Sequence, residues 1–405
     1  MKQQFDAIVA GAGLAGLIAA NNLVDRGLSV LLLEKSAAPG GRARTRRNAA
    51  LLNQGAHAVY RKGALAKAMQ NLGIPLHGGF VSGAGAWFMD NGSLRALPAS
   101  AGALLRSGVI PRRALPNMVR LYAAVLASSP RPEERFGAWL DRLGAHEQVK
   151  KFFLMLTRLS TYSAAPEDVS ATAIRRQFKK SMSGVIYLHG GWQTMVDGLS
   201  ARFQQKGGVM RSGEALTAFE EDSGVRIETT GGQYRTESIV LAMAPAQIRR
   251  MRADLLTGYQ EEPLRAACLD LVCNALPDPQ KLIALDLHRP RYFSVHSAWA
   301  NLDGIVVHAL RYLRSGEIGS RKEMEEWIDL VQPGLKRHVI ADQFLPSMHV
   351  AESSVDKSLP HPTISERVFA CGDWVGEDML ADAAAASAVE AAGLAAAVSG
   401  KRAAA

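Results

Sequence analysis

The spacing of apolar and polar positions marks out elements before any chemistry is considered. Phe5 to Ala10 is a short apolar run, followed by Gly11-Ala12-Gly13-Leu14-Ala15-Gly16 and then by apolar positions at helical spacing through Leu17, Ile18, Leu23 and Val24. Gly27 stops that helix, and Ser29 to Leu33 is a second apolar run ending in Glu34. In that order these signals predict a βαβ unit.

Farther on the rhythm changes. Asn91-Gly92 between Ala86-Trp87-Phe88-Met89 and Leu94-Arg95-Ala96-Leu97 predicts a hairpin. Amphipathic stretches from Pro116 to Ser128, Phe136 to Leu143 and Gln148 to Leu159 predict helices, the first two separated by Pro130 and Pro132. A helix from Met195 to Phe203 leads into strands at Val225 to Glu228 and Ser238 to Met243, and Leu282 to Leu313 reads as further strands. The last segment predicts a strand from Val368 to Cys371, a loop to Leu380 and an Ala-rich helix from Asp382 to Val398. No repeat or linker separates these blocks, so the predicted domains are interleaved.

Composition narrows the class. The chain has 405 residues, 48% hydrophobic and 21% charged, a globular profile long enough for two or three domains. The net charge of +9 is partly concentrated in Arg42, Arg44, Arg46 and Arg47. A bound diphosphate explains such a local cluster better than nucleic acid does, because no basic stripe interleaved with aromatics accompanies it. Cys268, Cys273 and Cys371 are an odd number without metal-ligand spacing, so neither a disulfide framework nor a metal site is expected. The chain runs straight into a strand pattern, and Ser387 and Glu390 interrupt the apolar tail. The reading is a cytoplasmic protein without a signal peptide or membrane span. No pattern fixes the oligomeric state.

The Gly-rich turn has a mechanical meaning. Gly11 permits the turn out of the strand, Gly13 lets backbone approach a pyrophosphate, and Gly16 allows close packing of helix on strand. Leu14 and Ala15 open a helix whose free N–H groups favour an anion. Glu34 stands where a carboxylate can accept both ribose hydroxyls of an adenosine, with Lys35 beside it, and it would repel a 2′-phosphate. This unit predicts a dinucleotide and leaves NAD and FAD both open.

Pro39-Gly40-Gly41-Arg42-Ala43-Arg44-Thr45 resembles the GGR-x-x-T motif of the flavin amine oxidase, phytoene desaturase and protoporphyrinogen oxidase superfamily. Gly55-Ala56-His57 resembles that superfamily's segment beside the flavin, and Val368 to Trp374 its second flavin motif, with Asp373 at the position of the ribityl-binding Asp. The resemblance implies non-covalently held FAD. Gly40, Gly41 and Arg42 would lie at the diphosphate and Ala215 at the adenine. Gly372 would lie beside the ribityl chain, and Leu380 and Ala381 would start a helix aimed at the flavin pyrimidine. It also implies an α/β fold, a Rossmann-like FAD-binding domain with an interleaved α+β substrate domain of mixed sheet plus helical cap. Residues 1–60, 190–255 and 355–405 would form the first; residues 61–189 and 256–354 would form the second, its helical part at about 100–180.

The chain also departs from the superfamily. The helix start reads Leu380-Ala381-Asp382, with Asp382 expected as the N-cap of that helix. After Asp373 only Trp374 offers an aromatic ring, which weakens the case for an amine cage. Lys281 is a candidate for the Lys that tethers a water near flavin N5 in amine oxidases. Tyr292 and His296, on one face of a strand with Ser294, are candidates for the pocket wall; Arg158 and Tyr162 are a helix-end pair. The expected function is an FAD-dependent oxidoreductase, oxidase or desaturase, moving a hydride from a C–H of a largely apolar small metabolite to flavin N5. Alternatives are an amine oxidase, a membrane-surface desaturase of an isoprenoid or porphyrin-like substrate docking through Pro111 to Leu126 and Lys150 to Leu159, and a non-catalytic flavin- or NAD-binding protein.

Overall fold

Apolar runs from the two ends of the chain lie in one sheet. The computed structural model describes residues 3–83, 85–98, 103–104, 108–352 and 359–400. The expected domain boundary near 354 and the expected start of the helical part near 100 lie outside the described residues. Strand Gln3–Ala10 runs parallel to Val30–Glu34 on one side and to Gly232–Leu241 on the other. Val209–Ser212 extends the sheet beyond Val30–Glu34, and Val368–Ala370 pairs in parallel with Gly232–Leu241. The hairpin Leu216–Glu221 and Val225–Thr229 completes the seven strands. The parallel strands Val30–Glu34 and Val368–Ala370 are buried at every position, as covering both faces of a parallel sheet requires.

Helices Leu14–Val24 and Leu380–Val398 pack on each other over this sheet, with Ala64–Asn71 and Gln193–Gln205 beside them. Ala385, Ala388, Ala391, Ala392 and Ala395 are fully buried, so small side chains let the two backbones approach closely. The sequence reading expected no span-like segment. Leu380–Val398 is in fact long and apolar enough to cross a membrane by length and composition. Here it is a core helix: half of it is buried within the protein against Leu14–Val24.

A second seven-stranded sheet runs in the order Val339–Ala351, Leu264–Cys273, Ile305–Leu313, Arg291–Val295, Ile283–Asp286, Ala86–Asp90, Ser93–Ala96. The expected hairpin is its edge, with Asn91 at φ 46° and Gly92 at φ 83°, the left-handed pair of a two-residue turn. Ala86–Asp90 pairs in parallel with Ile283–Asp286, so the mixed character of this sheet comes from a hairpin contributed by a much earlier part of the chain. One face carries helix Arg321–Val331, with Trp327 buried. The other face meets a helical cap of Leu115–Ala127, Phe136–Arg142, Glu147–Thr161 and Ala171–Ser181 around Trp139, Phe136 and Phe153. Ala171–Ser181 was not expected: Arg175, Arg176, Lys179 and Lys180 dilute its apolar stripe. Ser170, whose hydroxyl caps Ala173 N–H, was its readable signal.

Candidate active site

Where the two lobes meet, a cleft of about 840 Å³ runs from the end of strand Val30–Glu34 to the start of helix Leu380–Val398. It is walled by both chain ends. Gly11, Gly13, Leu14 and Ala15 line it at the first βα turn, and Glu34 and Lys35 at the end of the second strand. Gly40, Gly41 and Arg42 follow. Gly16 stands behind the wall: a Cβ there would lie 1.8 Å from the Gly11 carbonyl oxygen, so its role is helix-to-strand packing. Gly13 is the converse, since its Cβ would meet nothing within 4 Å and would project into open space.

Two features fit this cleft to a dinucleotide that carries a ring at its far end. Helix Leu14–Val24 starts at Gly13 with no side chain capping its first N–H groups, which leaves donors for a diphosphate. Helix Leu380–Val398 likewise has no side-chain cap at Met379, and it opens onto the other end of the same cleft through Leu380, Ala381 and Asp382. A bulky residue with positive φ is strained, and Leu380 is held at φ 58° at this turn.

At the end of strand Val30–Glu34 the Glu34 carboxylate accepts Ala12 N–H at 2.8 Å and Ser36 N–H at 2.8 Å, which fixes its orientation and leaves lone pairs able to accept hydroxyls such as those of a ribose. Ala215 lines this end, with its N–H donated to the Thr230 hydroxyl at 3.0 Å and its carbonyl accepting Thr230 N–H at 2.9 Å. Of the four arginines in the basic cluster, only Arg42 lines the cleft. Arg44 turns back to the Pro39 carbonyl at 3.1 Å, and Arg47 pairs outward with Asp303 at 2.6 Å.

In the middle, Arg42 and Asp373 form a two-point pair, with contacts of 2.9 and 2.7 Å. Gly372 and Cys371 line the wall beside them. The Cys371 thiol is pushed up by burial, which disfavours the thiolate.

Ala56 and His57 line the cleft, whereas Gly55 sits behind them, where a Cβ would lie 2.6 Å from the Met348 methyl. His57 Nδ1–H donates to the Gly55 carbonyl at 2.9 Å, so its Nε2 carries the lone pair. Burial pushes this imidazole down to about 4, which keeps it neutral at pH 7. Its ring meets Trp192 edge-on at 4.5 Å. An apolar part of the same cleft, the chamber, is lined by Tyr60, Leu65, Tyr162, Leu345, Met348 and Val350. Tyr162 donates to the Ala56 carbonyl at 2.7 Å and ends helix Glu147–Thr161 at φ 57°. Tyr60 and Tyr162 therefore bring two rings into the chamber from distant segments, which sequence reading missed for Tyr60.

The proposed catalytic candidates lie elsewhere. Lys281 pairs with Asp278 at 3.2 Å, away from the cleft wall. The strand expected to carry His296 ends at Val295, and His296 begins a short turn. Tyr292 and His296 are buried behind the wall, both on Tyr187: the hydroxyls meet at 3.1 Å and the imidazole stacks at 3.8 Å. Arg158 reaches the Leu287 carbonyl at 3.4 Å and does not line the cleft.

Asp382 is not the N-cap of its own helix, contrary to the sequence reading. That helix starts two residues earlier, and the carboxylate reaches across to accept Leu65 N–H at 2.9 Å in the first turn of Ala64–Asn71. Three residues without sequence spacing for a metal also converge. Cys268, Asp270 and His308 are fully buried within 4.8 Å of one another, with Asp270 accepting from Cys268 at 2.9 Å, His308 at 2.5 Å and Gln343 at 3.1 Å. Those three hydrogen bonds satisfy the carboxylate without an ion.

Comparison with known proteins agrees with this architecture. The structure is similar to an oxidoreductase from Methanosarcina mazei, with a TM-score of 0.78 at 14% identity over 95% of this chain and 99% of that one. It is also similar to cyclohexylamine oxidase from Brevibacterium oxydans, with a TM-score of 0.70 at 15% identity over 98% and 99% of the two chains. A Rab GDI from Plasmodium falciparum shares the fold as well, with a TM-score of 0.64 at 13% identity over 96% and 97%. Such likeness shows the fold alone. No curated protein matches the sequence. The family model for flavin-containing amine oxidoreductases, however, matches residues 14–281, about two thirds of the chain. With a cleft walled by residues near both ends of the chain, the chain belongs to the flavin-containing amine oxidoreductase family and is a flavin-dependent oxidoreductase.

Proposed function

We propose that the chain holds FAD non-covalently and oxidises a largely apolar small molecule at a C–H bond. The observation that carries this reading is the continuity of the cleft. One continuous wall joins polar Glu34, Gly13 and Arg42 to an apolar chamber of Leu65, Leu345, Met348 and Val350 with two tyrosines. The chemistry the flavin supplies when bound is acceptance of a hydride at N5. The protein's part is to orient substrate and exclude water: the apolar wall takes up the substrate's hydrocarbon. Neutral His57 offers Nε2 as a hydrogen-bond acceptor, and Tyr60 and Tyr162 fix the polar end. Of the sequence candidates, Tyr292 and His296 would act by holding Tyr187 behind the wall, and Lys281 has no seat in the chamber. A buried, protonated Cys371 supports non-covalent attachment. Anaerobic mixing with substrate should bleach the oxidised flavin band, and heat should release the flavin as free FAD. A colour that survives every candidate substrate, or a flavin that stays with the denatured chain, refutes the corresponding half of this reading.

A second reading, an amine substrate, is favoured by the two chamber tyrosines, which can face a cationic or neutral nitrogen, and by the cyclohexylamine oxidase likeness. A panel of primary and secondary amines against hydrocarbon-rich alcohols and alkenes separates the two by which bleaches the flavin. For the membrane-surface alternative, exposed Val119 and Tyr122 on helix Leu115–Ala127, beside Arg120, would be the docking face, and co-sedimentation with anionic vesicles tests it.

A further inference from the structure

At the ring end of the cleft a buried charge cluster stands outside the roles assigned above. Asp382, 3% exposed, lines the cleft from the first turn of helix Leu380–Val398. One carboxylate oxygen accepts Leu65 N–H at 2.9 Å, and the other meets Lys180 Nζ at 2.8 Å. Lys180, 13% exposed, also meets Asp378 at 2.8 Å, so one ammonium serves two carboxylates. The fit around Asp382 is tight: a Cβ at Gly63 would lie 2.4 Å from its oxygen. Lys180 comes from helix Ala171–Ser181 of the helical cap, so its charge is delivered to the cofactor lobe from the other one.

We propose that Lys180, acting through Asp382, sets the reduction potential of the bound flavin. The proposal rests on the flavin reading above and adds to it a residue that does not touch the flavin. Hydride transfer oxidises the substrate carbon by two electrons and delivers those electrons with one proton, adding one negative charge to the ring system. A fixed carboxylate in a low-dielectric wall opposes that charge, and a paired ammonium offsets the opposition. Asp382 lies where the helix start addresses the ring, so its field is felt there; Lys180 lies one hydrogen bond farther back and decides how much of that field remains. Burial works against the ammonium of Lys180, but Asp382 and Asp378 outweigh it and hold its pKa above the ordinary lysine value, so the counter-charge is present at neutral pH.

The test is a spectroelectrochemical titration of the flavin-loaded protein. Lys180→Gln should lower the two-electron reduction equilibrium constant at least tenfold, about 30 mV. Asp382→Asn, which keeps the shape and removes the charge, should raise it by a similar factor. The double variant should return to within about threefold of the wild type, as paired effects in contact predict. Lys180→Arg should leave the potential unchanged, because it keeps the charge. Should Lys180→Gln fail to fold, Asp382→Asn alone decides. A potential within threefold of wild type in Asp382→Asn, or a rise in a folded Lys180→Gln, overturns the proposal while leaving the flavin reading intact. A purified wild type that carries no flavin overturns both.

Discussion

Two glycines of one turn have separable jobs, and single substitutions expose them. Gly13 faces open space and has ordinary φ of −74°, so Gly13→Val should leave the melting temperature of the flavin-free protein unchanged while lowering its flavin content on purification. Gly16→Ala forces a methyl to 1.8 Å from the Gly11 carbonyl and should destabilise the flavin-free fold by about 1–3 kcal/mol, read by denaturant melts. His57 gives a pH signature. Its folded pKa of about 4 lies below the unfolded value near 6.5. Between those values the unfolded chain takes up a proton that the folded one refuses, so this contribution is intact above pH 6.5 and is lost as pH falls toward 4. Buried His296, also pushed down, acts in the same direction. Urea melts from pH 7.5 to 4.5 should show His57→Gln falling less steeply than the wild type.

Among the elements, helix starts govern the cleft and a helix end governs the chamber. Tyr162 both ends Glu147–Thr161 and ties that end to the Ala56 carbonyl. Tyr162→Phe keeps the ring and strands the acceptor, so a stability loss of about 1 kcal/mol is expected with a larger effect on substrate KM than on flavin affinity. An unchanged KM would remove Tyr162 from the chamber wall's function. The sequence showed the elements whose signal is local: the first βα turn, the Asn91-Gly92 hairpin and three of the four cap helices appear within one or two residues of expectation. It did not show relations that depend on which distant segments meet. Asp382 follows the rule for a cap, but the helix it caps lies more than three hundred residues earlier in the chain. Tyr60 joins Tyr162 across a gap no periodicity spans, and Lys281 lies ahead of strand Ile283–Asp286 with its ammonium turned to Asp278.

For the whole molecule, the cofactor is expected to act as a clasp, because its cleft is walled by residues from both termini and both lobes. Stripping the flavin should lower the melting temperature, and titrating FAD back should raise it with concentration, the fold gaining about 2.7 kcal/mol of stability at a hundredfold excess over Kd. Equal melting temperatures with and without FAD would mean that the two ends hold each other unaided. The seat of the last strand has a consequence for how the molecule is born. Val368–Ala370 pairs with Gly232–Leu241 and sends the closing helix onto Leu14–Val24, so this lobe stays open at one edge until Leu380–Val398 has left the ribosome. From its own synthesis until that of Val368–Ala370, the apolar flank of Gly232–Leu241 waits without its neighbour, the sort of bare strand that chaperones shield and that aggregates when they are scarce.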